Sequence, residues 1–161
     1  MLSSAPRQTG QPHSRPPVRI ATICIVDPQP DDYQGWDSLA EANGVRVRMV
    51  ASAEEALRVA HTAAVDLWVV NVELPGLSGC ELCGMLRARS TPAPVYLVAN
   101  EYSPAAERAA LRSQATLFGC KPGHENWLGE WLEQTSRRLA KQPTVAASDP
   151  APATTPAQVA S

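Results

Sequence analysis

The sequence predicts an α/β fold, a parallel sheet with helices packed on both faces. Three observations point to it. Strand-like apolar runs and helix-like segments alternate five times between positions 19 and 141. The run Leu67–Val70 (Leu-Trp-Val-Val) is continuously apolar, as in a central strand buried on both faces. The connections are short, and repeated βα units with short connections give parallel neighbours and right-handed crossovers.

Each element has its own signal. Ile20–Val26 is a buried strand that ends at Asp27. Asp31 or Asp32 is expected to cap the first helix, which places Tyr33, Trp36, Leu39 and Ala40 on one face and stops at Asn43-Gly44. Val45–Val50 alternates Val45, Val47 and Met49 with Arg46 and Arg48, the pattern of an edge strand. Ser52-Ala-Glu-Glu55 reads as a capping box that opens a short helix to about His61. Leu67–Asn71 is the third strand; Pro75, Gly76 and Gly79 then force a loop. Cys80–Arg89 is a helix with Leu82 and Leu86 toward the core, and Val95–Ala99 is the fourth strand. Ser103-Pro104 is an N-cap with Pro at the first helical position, for a helix to about Ser113. Thr116–Cys120 is the fifth strand. The last helix, Glu125–Lys141, carries an apolar stripe of Trp127, Leu128, Trp131, Leu132 and Leu139.

The folded part is therefore expected at 19–141, a typical domain size. The segments 1–18 and 142–161 are Pro-rich with little to bury and are read as disordered tails. With 161 residues and a net charge of −2, the chain lacks the basic footprint of a nucleic-acid binder. It has no apolar run of the roughly 20 residues needed to span a bilayer, and positions 1–18 lack the apolar segment of a secretory signal. Cys24, Cys80, Cys83 and Cys120 suit reduced thiols in a cytoplasmic protein better than a disulfide framework.

Function in an open α/β sheet is placed at the carboxyl ends of strands. Here these ends present Asp27, Asn71, Ala99-Asn100 and Lys121. No Gly-rich phosphate loop follows the first strand, where the residues are Asp27-Pro28-Gln29-Pro30; this weighs against a nucleotide site. Val26-Asp27, Asp66-Leu67 with Leu74-Pro75-Gly76 and Gly79, Pro94-Val95, and Phe118-Gly119-Cys120-Lys121-Pro122 together resemble a response-regulator receiver domain over Arg19–Lys141. The resemblance implies a flavodoxin-like three-layer sandwich with strand order 2-1-3-4-5, so that Asp27 and Asn71 flank the point where strand order reverses.

It also implies where the chemistry fails. Receivers take a phosphoryl group on an aspartate that closes the third strand; here that position is Asn71, and an amide has no anionic oxygen to form an acyl phosphate. Receivers hold Mg²⁺ with an acid pair after the first strand. Asp27 matches the first acid but Pro28 replaces the second, so Mg²⁺ binding is expected to be lost. The hydroxyl residue that senses the phosphoryl group is replaced by Ala99. Lys121 matches the family lysine and Phe118 the switch aromatic. The chain thus resembles a degenerate receiver, or pseudoreceiver.

Some residues carry two readings. Asn71 either mimics one fixed state of the site or satisfies backbone groups of the loop. Lys121 is expected to pair with Asp27, because a buried lysine without a partner is costly. The Lys121-Pro122 bond is expected to be cis, as the resemblance implies. Cys80-Glu-Leu-Cys83 is either a redox or metal motif or a pair of small packing residues; a zinc site needs about four ligands, and only Cys120 or His124 is a candidate to join. His13, His61 and His124 share no ligand spacing and are read as surface residues. Trp127 and Trp131 share one helix face, as core or as part of a partner surface. The resemblance implies that the fourth helix, fifth strand and last helix dock partners, and Ala105, Ala106, Ala109 and Ala110 give that helix a small-residue surface.

The functional expectation is a stand-alone, cytoplasmic, non-enzymatic receiver-like module of two-component or phosphorelay signalling. It would act through a signalling protein partner, as a monomer or weak homodimer, without nucleic acid, membrane, metal or cofactor. The alternatives are a relay receiver with Glu73 or Asp27 as acceptor, and a small redox or metal protein built on Cys80 and Cys83.

Overall fold

A computed structural model describes residues 20–121 and 125–141, with the side chains of 125–127, 136 and 139–141 outside the description. Both expected tails, the Lys121-Pro122 peptide, His13, His124 and the side chains of Trp127 and Leu139 therefore lie outside the described residues.

Five strands, β1 (Ala21–Val26), β2 (Val45–Val50), β3 (Leu67–Asn71), β4 (Val95–Ala99) and β5 (Leu117–Cys120), form one parallel sheet in the order β2-β1-β3-β4-β5. The helices are α1 (Trp36–Ala42), α2 (Ala53–Thr62), α3 (Gly79–Ala88), α4 (Pro104–Arg112) and α5 (Glu125–Lys141). Strand periodicity divides the apolar residues between two cores. Cys24, Val26, Trp68, Val70, Val95 and Leu97 pack with residues of α2, α3 and α4. Ile23, Ile25, Leu67, Val69 and Val98 pack with residues of α1 and α5, among them Trp36, Leu128, Trp131 and Leu132. Trp131 is thus a core residue, 7% exposed. On α4 only Ala110 is buried, Ala106 and Ala109 are half-buried, and Ala105 is exposed.

The entry to α1 departs from expectation. Pro30–Tyr33 forms a separate 3-10 turn, Gly35 breaks the path at φ +87°, and α1 begins only at Trp36. Asp31 and Asp32 lie inside the turn, and neither caps a helix. Pro30 favours the start of a tight turn, and the Gly35 conformation is one that L side chains rarely adopt. Because the helix starts late, its inner face holds Trp36 and Ala40, while Leu39 is 37% exposed instead of packed.

The caps are partly as expected. Ser103 accepts from the Ala106 N–H with Pro104 following it. Ser52 accepts from the Glu55 N–H at 3.3 Å, but the Glu55 carboxylate returns to the Ala51 N–H rather than to Ser52, so the box is not closed. The closed box is at Ser78 and Glu81, at the start of α3. That start is pressed against the end of β3: a Cβ on Gly79 would lie 2.1 Å from the Asn71 carbonyl oxygen. The Gly79 N–H donates to the Val72 carbonyl at 3.0 Å. Absence of a side chain at position 79 is what lets α3 seat directly behind Asn71.

Replacing Gly79 by Ala is expected to cost about 1–3 kcal/mol, the range for overpacking, because the added Cβ would meet backbone. Gly84→Ala, with open space around its site inside α3, is expected to be neutral or to stabilise by up to ~1 kcal/mol. Urea unfolding of both variants checks the contrast. A second outcome concerns Cys24, whose thiol burial pushes from 9.0 up to about 12. The unfolded chain releases this proton first, so the contribution of Cys24 is fully present below pH 9 and is lost as pH rises toward 12. The stability advantage of the natural chain over Cys24→Ala should shrink across that window in melts at stepped pH.

Candidate functional site

Asp27 follows β1 and Lys121 follows β5, and the sheet ladder carries both one residue past the strands. The Asp27 N–H donates to the Val50 carbonyl at 2.9 Å, and the Lys121 N–H to the Ala99 carbonyl at 2.8 Å. Asp27 is buried, 2% exposed. Its Oδ1 accepts from the Gln29 N–H at 2.9 Å, and its Oδ2 accepts from the Tyr33 hydroxyl at 2.8 Å. The Lys121 Nζ lies 2.5 Å from the same Oδ2 and 2.9 Å from Asp32 Oδ2. It also stands 5.4 Å from the centroid of the Tyr33 ring, a cation–π distance. The Trp36 ring meets Tyr33 edge-on at 5.0 Å and backs it from the core. Burial, followed by the charge and hydrogen bond of Asp27, pushes the Tyr33 phenol up, so it remains a proton donor to the carboxylate.

On the other side of the switch point, Asn71 is 1% exposed. Its Oδ1 accepts from the Glu73 N–H at 2.9 Å, a local side-chain-to-backbone turn. This is the loop-satisfying use of Asn71. The Asn100 amide donates to Glu73 Oε2 at 3.0 Å, joining the loop after β3 to the loop after β4. Ala99, at the end of β4, contributes only a buried methyl. Phe118 is half-buried, with Tyr102 tilted against it at 6.5 Å, and Tyr102 is 61% exposed.

A hard divalent cation takes several oxygen ligands. Here both oxygens of Asp27 are engaged by the chain, Pro28 has no side-chain oxygen, and the Asn71 oxygen holds a backbone N–H. The residues present do not fit such an ion. Among the described residues no group of three or more His, Cys, Asp and Glu side chains is placed to hold a metal. Cys83 donates to the Ser113 carbonyl at 3.3 Å, and burial pushes the Cys80 and Cys83 thiols up, away from the reactive thiolate. His61 is exposed, with its Nε2 against Arg89. A 560 Å³ cavity lined by Trp68, Arg89, Pro92, Trp131 and Arg138 includes none of the residues around Asp27.

The structure thus brings Asp27 and Lys121 together as expected and adds Asp32 and Tyr33. Sequence reading placed Tyr33 on a core face and Asp32 at a cap. The signal for Tyr33 is the buried phenol itself, because a buried hydroxyl needs a partner and Asp27, six residues upstream, is the acid that closes a buried strand.

Comparison with known proteins agrees with the fold. The family model described as "Response regulator receiver domain" matches residues 23–133. Over 103 residues the chain is 33% identical to the transcriptional regulatory protein YvrH of Bacillus subtilis, covering 63% of this chain and 43% of that protein. It is 30% identical over 105 residues to the transcriptional regulatory protein AfsQ1 of Streptomyces coelicolor, covering 65% and 46%. The chain therefore spans less than half the length of these curated relatives. Among solved structures, a CheY-like receiver domain protein from Methanospirillum hungatei superposes with a TM-score of 0.66 at 21% identity, covering 76% of this chain and 98% of that one. The chemotaxis response regulator CheY4 of Vibrio cholerae gives 0.60 at 25% identity, covering 75% and 99%.

Removing the phenol tests the site's internal bonding. Tyr33→Phe leaves a buried carboxylate short of one donor and is expected to cost about 1.5–3 kcal/mol in urea unfolding. Tyr102→Phe, at an exposed position, should leave the midpoint unchanged.

Proposed function

The chain belongs to the response-regulator receiver family, and on that premise we propose that it is a receiver-like signalling module that works without aspartyl phosphorylation. The observation that carries the reading is at Asn71. The side chain that closes β3 is an amide, and its carbonyl oxygen is spent on the Glu73 N–H. Attack on a phosphodonor needs an anionic oxygen at that point, and an amide supplies none. Two further features support the same reading. Asp27 has its oxygens committed to Gln29, Tyr33 and Lys121. Ala99 has no hydroxyl with which to follow a phosphoryl group.

On this reading the output is contact with a signalling protein. Receiver domains are signalling domains that pass information to partners, and this one would do so in a fixed state. The surface formed by α4, β5 and α5 is the candidate docking face. Leu111, 67% exposed on α4, and Tyr102, 61% exposed just before it, are large apolar groups offered to solvent there. Phe118 lies beneath Tyr102. Among the described residues no helix is long and apolar enough to cross a membrane.

One observation keeps a second reading in view: Glu73 is an exposed carboxylate at the mouth of the site, bonded to Asn100. Intact mass after incubation with acetyl phosphate and Mg²⁺ separates the two. The natural chain is expected to gain no phosphate, and the Asn71→Asp, Pro28→Asp double variant is expected to gain one. Phosphate on the natural chain that is lost in Glu73→Gln would replace the first reading with the second.

A further inference from the structure

We propose that the Lys121 ammonium is the resident cation of this site, and that Asp32 and Tyr33 are the positioning residues that hold it there and so decide which cation the site takes. The inference rests on the reading of Asn71 given above and goes beyond it. A missing acceptor would explain only the loss of phosphorylation, not the holding of one ammonium between two carboxylates.

Three observations carry it. The first is coordination. One Nζ is shared by two carboxylates, at 2.5 Å from Asp27 and 2.9 Å from Asp32, with a ring face at 5.4 Å. That is the arrangement of a bound cation rather than of a single surface ion pair. The second is burial. The Lys121 side chain is 6% exposed and that of Asp27 0%. Taking a lysine this far out of water is costly unless partners of opposite sign offset its desolvation, and here two carboxylates face it. The third is local backbone. A helix capped by Asp32 would commit its carboxylate to the helix's own N–H groups. Here the 3-10 turn Pro30–Tyr33 releases Asp32 from that duty and presents it, with Tyr33, to a lysine 89 positions away.

The consequence is selectivity. A divalent cation would have to displace both the ammonium and the Tyr33 hydroxyl from Asp27, and would find no carboxylate at Pro28 or Asn71. Without the ammonium, Asp27 and Asp32 are two carboxylates with no cation between them, a pair that attracts a hard divalent ion.

The chain contains only two lysines, Lys121 and Lys141. Reductive methylation with ¹³C-formaldehyde, read residue by residue by NMR, therefore reports Lys121 directly. In the folded chain Lys121 is expected to react at least about tenfold more slowly than in the urea-unfolded chain, a factor worth ~1.4 kcal/mol. Millimolar Mg²⁺ should not change that rate, while Asp32→Asn and Tyr33→Phe should each raise it. In thermal melts Mg²⁺ should leave the natural chain unmoved. Lys121→Gln should melt lower and regain part of the loss with Mg²⁺, and Lys121→Gln with Asp32→Asn should regain none. Lys121 reacting at its unfolded rate, Mg²⁺ stabilising the natural chain, or a folded Lys121→Gln indifferent to Mg²⁺ would each overturn the proposal. If Lys121→Gln does not fold, the methylation rates of the other variants still decide it. Phosphate uptake by the natural chain would instead sink the Asn71 reading, a separate outcome.

Discussion

The carboxylate of Asp27 is the constraint around which the carboxyl end of the sheet is arranged. It lies at the end of a central strand where solvent does not reach, 2% exposed. Leaving such a charge without partners would cost several kcal/mol, and removing one member of a buried pair typically costs about 3–5 kcal/mol. The chain answers with a backbone N–H from Gln29, the Tyr33 hydroxyl and the Lys121 ammonium. Each answer fixes a piece of structure. Gln29 sets the turn after β1, Tyr33 holds the 3-10 segment against the core through Trp36, and Lys121 ties the end of edge strand β5 to the centre of the sheet.

The architecture was open to reading because its signals are local and periodic. Leu67–Val70 is apolar throughout since β3 is covered on both faces, and the structure buries all five residues of the strand, Asn71 included. The alternation Val45, Val47, Met49 against Arg46 and Arg48 marks β2 as an edge, and the two arginines are exposed. Ser103-Pro104 announces α4 through cap chemistry that depends on neighbouring residues alone. The Asp27–Lys121 pair was also legible, though by a different route. It follows from the cost of burying a lysine at a strand end and from the family pattern.

What the sequence hid is what depends on distant partners. Asp32 reads as a helix cap because Asp is a good cap, and nothing within a helical turn of it names Lys121, 89 positions downstream. Gly35 falls inside the helix expected from Asp31 or Asp32, yet at φ +87° it divides the turn from α1 and turns Leu39 outward. The closed capping box sits at Ser78 rather than Ser52. At Ser52 the Glu55 carboxylate finds the Ala51 N–H instead, a choice between adjacent donors that spacing does not resolve. Gly79 reads as loop punctuation in the sequence, although its role is to let the backbone of α3 touch that of β3.

These contacts join the fold to the function. An intact receiver scaffold carries, at its reactive centre, an amide engaged with its own loop and an acid neutralised by its own lysine. On the proposed reading, chemistry that would shift the domain between two states has no purchase there, and the partner surface would be presented in one state. The most direct measurement is the amide NMR spectrum of the chain with and without beryllium fluoride and Mg²⁺, which together imitate a phosphorylated aspartate. The account predicts unchanged resonances at Val70–Glu73 and Val98–Glu101. Saturable shifts concentrated in those two segments would contradict it.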